Sequence, residues 1–158
     1  MPTLLENDTF RADLTIEGDK AVAVIEKKDP KSANTEFITA DKVPLVAKDM
    51  IEIQTQVLQA AVVAEISHQS VSFIINIENM IGEVSGIKSK DLEALKWILS
   101  QVGSISVYGG PGSVNFLVQL YSLATRNKVG VFNDRETAEK SAWGKKEDIY
   151  ILPKTKAK

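Results

Sequence analysis

Apolar and polar residues alternate from Arg11 to Ile16, with Ala12, Leu14 and Ile16 on one face and Asp13 and Thr15 on the other. Glu17-Gly18-Asp19-Lys20 supplies a turn, because glycine tolerates positive φ. Ala21 to Ile25 is apolar and β-branched, so the two runs predict a β-hairpin. Lys27 to Asn34 is polar and contains Pro30, which predicts a loop. The period then changes. Val46, Met50, Ile53, Val57, Ala61 and Ala64 recur at helical spacing, predicting a long helix from about Asp41 to Ile66 with a buried stripe. Pro44 falls in its first turn, where no internal hydrogen bond is lost, and Asp41 is placed to cap it. Met50, Ile51, Leu58 and Val62 widen the apolar arc of this helix. Such an arc serves deep burial, a lipid-like cavity or a dimer interface.

Ser70 to Ile77 is almost continuously apolar through Val71, Phe73, Ile74, Ile75 and Ile77, as in a parallel strand covered on both faces. Glu78 to Lys88 reads as a loop. Ser89 is placed to cap a helix whose Leu92, Leu95, Ile98 and Leu99 face inward, and Gly103 to end it. Ser104 to Tyr108 predicts a strand, and Gly109-Gly110-Pro111-Gly112 turns the chain. Ser113 then opens a helix carrying Val114, Leu117, Val118, Tyr121 and Ala124, which Asn127 terminates. Lys128 to Phe132 reads as a strand. Asn133-Asp134 starts the last helix, with Glu136 set as in a capping box and Gly144 at the end. Ile149 to Leu152 reads as one more extended segment.

The order predicts an α/β fold: an N-terminal β-hairpin followed by alternating α and β, forming a mainly parallel sheet with packed helices and right-handed crossovers. The strands at 70–77, 104–108 and 128–132 lie inside that sheet, with the hairpin at one side. Residues 1–145 read as a single domain and 146–158 as a Lys-rich tail. The expected core contains Phe73, Ile75, Val107, Leu117, Val131, Phe132 and Trp143.

Composition narrows the function classes. Apolar residues make up 44% and charged residues 25%, ordinary globular usage that argues against whole-chain disorder. Nineteen basic residues face twenty-one acidic ones, leaving no field to attract nucleic acid. With no cysteine, there is no disulfide framework, thiolate nucleophile or cysteine zinc site. This usage fits a cytoplasmic location. Met1 to Phe10 lacks the pattern of a secretory signal. The apolar runs fall short of the ~20 residues of a membrane span.

The order of elements and the C-terminal third resemble the SpoIIAA-like family of the STAS/SEC14-like superfamily. Ile105-Ser106-Val107-Tyr108-Gly109, a helix, and Val129-Gly130-Val131-Phe132-Asn133-Asp134 carry the likeness. Glu136-Thr137-Ala138-Glu139 and a late Trp143 follow, although Gly144 stands where a Leu is common. The resemblance covers Leu14 to Trp143 in topology. It implies a sheet with helices packed on it and a regulatory or binding role without settled chemistry. In its anti-sigma antagonist members a serine in a turn at a helix start is phosphorylated. The matching stretch is Glu83-Val84-Ser85-Gly86-Ile87, where Val84 takes the acceptor's place and Ser85 lies one residue late. Ser85 is thus a weak phosphorylation candidate.

Gly109, Gly110, Gly112 and Ser113 form the most informative candidate site. A glycine-rich turn into a helix start exposes N–H groups toward an anion, although Pro111 removes one donor. The competing reading is a tight connection with Ser113 capping its own helix. The turn matches neither a P-loop nor GxGxxG. Ligands in open α/β sheets lie at the carboxyl ends of strands, which places Asn76, Glu78 and Asn79 near this edge, with Asn133 and Asp134. His68 is the only histidine and has no triad partner by spacing. Glu78, Glu83 and Asp134 are carboxylates that nothing in the spacing brings together. No metal site and no cofactor are expected. The chain therefore reads as a non-catalytic module that binds a protein partner or itself. The alternatives are a binder of a small apolar or anionic ligand, and an enzyme built on His68, Glu78 and the turn at Gly109 to Ser113.

Overall fold

The computed structural model describes residues 3–28, 43–76, 89–109 and 129–144. The alternating N-terminal run forms β2 (Phe10–Glu17), which pairs antiparallel with β3 (Lys20–Lys27). Glu17 faces Lys20 across a two-residue loop in which Gly18 has φ 63° and Asp19 does not share the positive sign. That is the type II′ arrangement, whose twist matches the flanking strands. An additional strand that the pattern did not suggest, β1 (Thr3–Glu6), pairs antiparallel with β2. Three of its four residues are exposed, so it has no apolar face to read. Its position comes from Asn7, whose Oδ1 accepts from the N–H groups of Thr9 and Phe10 at 3.0 and 2.8 Å.

α1 (Val43–Val63) leads through a short 3-10 turn (His68–Ser70) into β4 (Val71–Asn76). α2 (Ser89–Gln101) leads to β5 (Ser104–Tyr108). β6 (Val129–Phe132) is followed by α3 (Arg135–Ala142). The sheet is mixed, with order β1-β2-β3-β4-β5-β6 and parallel pairing from β3 to β6. The strand near 128–132, expected inside the sheet, is its last described strand. The two crossovers β3-α1-β4 and β4-α2-β5 step in one direction, so right-handed connections set both helices on one face, where they pack together.

Side-chain alternation divides the core in two. Ala12, Leu14, Ala23, Ile25, Phe73, Ile75, Ile105 and Val107 meet α1 and α2 in the larger cluster. Val22, Val24, Ile74, Tyr108 and Phe132 meet Ala138 and Ala142 of α3 in the smaller one. β4 is buried on both faces, as its continuous apolar run requires. Of the expected core, Phe73, Ile75, Val107 and Phe132 are buried. Val131 and Trp143 are only partly buried, because one lies on the last described strand and the other follows the end of α3. Leu117 lies outside the described residues.

Helix ends depart from expectation in detail. Met50, Ile53, Val57, Leu58 and Ala61 are buried, so the core takes most of the wide arc of α1, while Val62 and Ala64 are exposed. Glu65 closes α1 with φ 63°, its N–H reaching Val62 O at 2.9 Å and the N–H of Ile66 reaching Ala61 O at 2.8 Å. This is a Schellman motif, with Ile66 and Ala61 as its buried apolar pair. Ser89, expected as a cap, is the first residue of α2. Gly103 follows α2 for a different reason than a cap: a Cβ there would overlap the carbonyl of Gln69. α3 is capped by Asp134, whose carboxylate accepts from the N–H of Thr137 at 2.9 Å, so the expected Asn133–Glu136 box is displaced by one residue. Gly144, with φ 96°, ends it as expected.

Candidate functional site

On the face that carries α3, alternation points Arg11 and Asp13 of β2 and Glu26 of β3 away from the larger core. β4 and β5 bring Asn76 and Tyr108 side by side at their carboxyl ends. α3 begins there, and its first residue, Arg135, reaches back across the strands. Its Nη2 lies 3.1 Å from Asp13 Oδ2, its Nη1 3.4 Å from Glu26 Oε2, and its Nε 2.5 Å from Glu139 Oε2 one helical turn on. Arg11 Nη2 stands 3.6 Å from the other oxygen of Glu26. The hydroxyl of Tyr108 donates to Glu26 Oε2. Six side chains from three strands and a helix thus meet in one network centred on Arg135 and Glu26.

The electrostatics fix the protonation of two members. Burial, and then the hydrogen bond to Glu26 and the field of that carboxylate, push the Tyr108 phenol well above its ordinary range. The charge of Arg135 and a hydrogen bond from Asn76 oppose this without reversing it. Tyr108 therefore remains a donor. For Arg135, burial works against the charged form. The hydrogen bonds to Glu139 and Asp13, with the fields of Glu26 and Glu139, outweigh burial and raise its pKa. Asp134 lies beside the cluster, exposed. Hydrogen bonds from Thr137 lower its carboxyl below the ordinary value.

Two of the candidates read from sequence fall at this edge. Asn76 ends β4 and hydrogen-bonds Tyr108. Gly109, with φ 122°, turns the chain away from β5 in a conformation that side chains rarely adopt. Gly110, Gly112, Ser113, Glu78 and Ser85 lie outside the described residues, as do the predicted helix at 113–127 and the tail. His68 is brought to neither residue. It precedes β4, whereas Asn76 ends it, and a strand of this length spans about 17 Å. The ring of His68 instead meets Trp97 edge-on, with centroids 6.4 Å apart. Among the described residues, no group of three or more metal-ligating side chains forms. No described helix is long and apolar enough to cross a membrane.

Arg135, Glu26 and Tyr108 were not singled out by the sequence. The alternation at Arg11 to Ile16 placed Asp13 outward, and that was the available signal. The arrangement offers a charged surface whose ions are already paired, with donors and acceptors held in place by each other. Comparison of the chain with models of protein families, with curated proteins and with solved structures finds no match.

Proposed function

We propose that this chain is a non-catalytic interaction module that binds a protein partner through the sheet face over β1, β2 and β3. The observation that carries this reading is the row of charges on that face beside α3, which packs on β4, β5 and β6 instead. Lys28 pairs with Glu6 at 3.2 Å, Arg11 with Glu26, and Arg135 with Asp13. Leu4 lies in register with Asp13 and is 53% exposed. Both charge signs around an apolar side chain suit recognition of a protein surface, where charges set partner choice and an apolar centre adds affinity. The regulatory or binding role implied by the SpoIIAA-like resemblance agrees with this reading.

The test compares the tagged chain with a Leu4→Asp/Arg11→Glu variant of equal stability. A protein retained from lysate by the wild type and lost by the variant supports the face as the contact. Equal retention of every bound protein by both chains overturns it. Sedimentation run in parallel identifies the partner as a second copy if the wild type is a dimer and the variant a monomer.

A small-ligand reading is favoured by a separate observation. Gln54 is 1% exposed on the inward side of α1, and its Oε1 has no hydrogen-bond partner among the described residues. A buried acceptor without a donor is costly, and a ligand N–H or O–H would satisfy it. Native mass spectrometry of the purified chain reports a retained ligand directly. A ligand-free mass in mild conditions excludes this reading.

A further inference from the structure

Among the described residues, α3 is held to the sheet by little apolar surface. It has eight residues, well under the ~12–15 at which an isolated helix becomes even marginal in water. Of its side chains only Ala138 and Ala142 are buried, and each contributes a single methyl group to the cluster. Trp143 beyond it is only partly buried. Much of the attachment is therefore ionic. Arg135 reaches past the strands on which α3 packs to grip Asp13 of β2 and Glu26 of β3. Beneath α3 lie Val24, Ile74 and Phe132, an apolar seat that the larger core does not need.

We propose that α3 is an ion-latched strap: when Arg135 releases Asp13 and Glu26, α3 lifts as a unit and uncovers the apolar seat, while the sheet with α1 and α2 stays folded. Local openings of this kind are expected where few apolar contacts hold an element. A partner bound over β1 to β3 competes for the same two carboxylates, so its binding and the release of α3 are linked reciprocally. That coupling rests on the proposed contact face, whereas the latch itself does not.

The absence of cysteine makes the test clean. An Ala138→Cys thiol, buried under α3, is exposed to a thiol reagent, and its labelling rate is compared with that of an Ala23→Cys thiol in the larger core. The latch predicts much faster labelling at Ala138→Cys than at Ala23→Cys. Adding Arg135→Gln should speed it a further threefold to tenfold or so, as expected for two partly exposed ion pairs. Raising salt should accelerate labelling in the Arg135 background and have little effect after Arg135→Gln. Native-state hydrogen exchange of the unmodified chain gives an independent reading if either cysteine perturbs folding. The amides of α3 should open more readily than those of β4 and β5, and more so at high salt. Equal opening of α3 and β4, insensitive to salt, overturns the latch. No partner is present in either experiment, so the outcome is separate from that of the contact-face test.

Discussion

Glu65 occupies the left-handed region at φ 63°, where a Cβ crowds the following carbonyl. The Schellman bonds hold it there, and the position favours glycine. Glu65→Gly should raise stability by about 0.5–1 kcal/mol, the relief of strain being partly offset by the greater freedom of glycine in the unfolded chain. Urea denaturation measures it, and an unchanged or lower midpoint would show the strain to be absent. Tyr108 supplies a pH signature. Its folded pKa is raised above the ordinary value of 10.0, so its contribution is complete below that pH and is lost as pH rises above it. Between pH 9 and 11, the wild type should lose stability relative to Tyr108→Phe, by at most about 1.4 kcal/mol per pH unit above the unfolded value. Parallel slopes for the two proteins would remove Tyr108 from the account.

At the scale of elements, short pieces depend on polar ties. β1 has four residues and an exposed edge, and Asn7 anchors its end. Besides holding the N–H groups of Thr9 and Phe10, Asn7 donates from Nδ2 to the carbonyl of Asp49 at 2.8 Å, joining the β1–β2 turn to α1. The Thr9 hydroxyl donates to the Asp49 carboxylate at the same joint. Asn7→Ala removes three hydrogen bonds and leaves partly buried groups to water. A loss of about 1–3 kcal/mol is expected, with faster amide exchange concentrated in β1 and the first turn of β2. Loss spread evenly over the sheet would instead make β1 part of the main folding unit. α3 has the same character, since its cap at Asp134 and its ion pairs accompany only two buried methyl groups.

For the whole molecule, stability is concentrated where β4 is sandwiched between the two clusters. Phe73 faces α1 and α2 and is fully buried, while Ile74 is buried on the other side. Phe73→Ala should cost about 3–5 kcal/mol if the surrounding strands cannot collapse into the cavity. A loss under about 1 kcal/mol in reversible denaturation would show that the residue is not central. The charged cluster sits at the other extreme. Its members are partly exposed, and ion pairs of that kind contribute little each, so they matter to the seating of α3 and little to the stability of the whole sheet.

The sequence by itself determined what depends on period. Strict alternation at Arg11 to Ile16 and the helical spacing from Met50 to Ala61 assigned elements and inward faces, because each is a property of neighbouring residues on one segment. The continuous run at Val71 to Ile75 likewise announced a strand covered twice. Asn76 and Gly109 were legible because strand ends and glycine turns are local features. Only the tertiary structure decided what depends on adjacency. β1 has too short and too exposed a pattern to announce itself, and its pairing follows from Asn7 and the register of β2. Gly103 resembles a helix stop in sequence, yet the carbonyl of Gln69 is what excludes a side chain there. Asp13, Glu26, Tyr108 and Arg135 are scattered along the chain, and no local window relates them. Their meeting requires the order of the sheet and the return of α3 over the face that carries the smaller core, where partly desolvated opposite charges lower their energy by pairing.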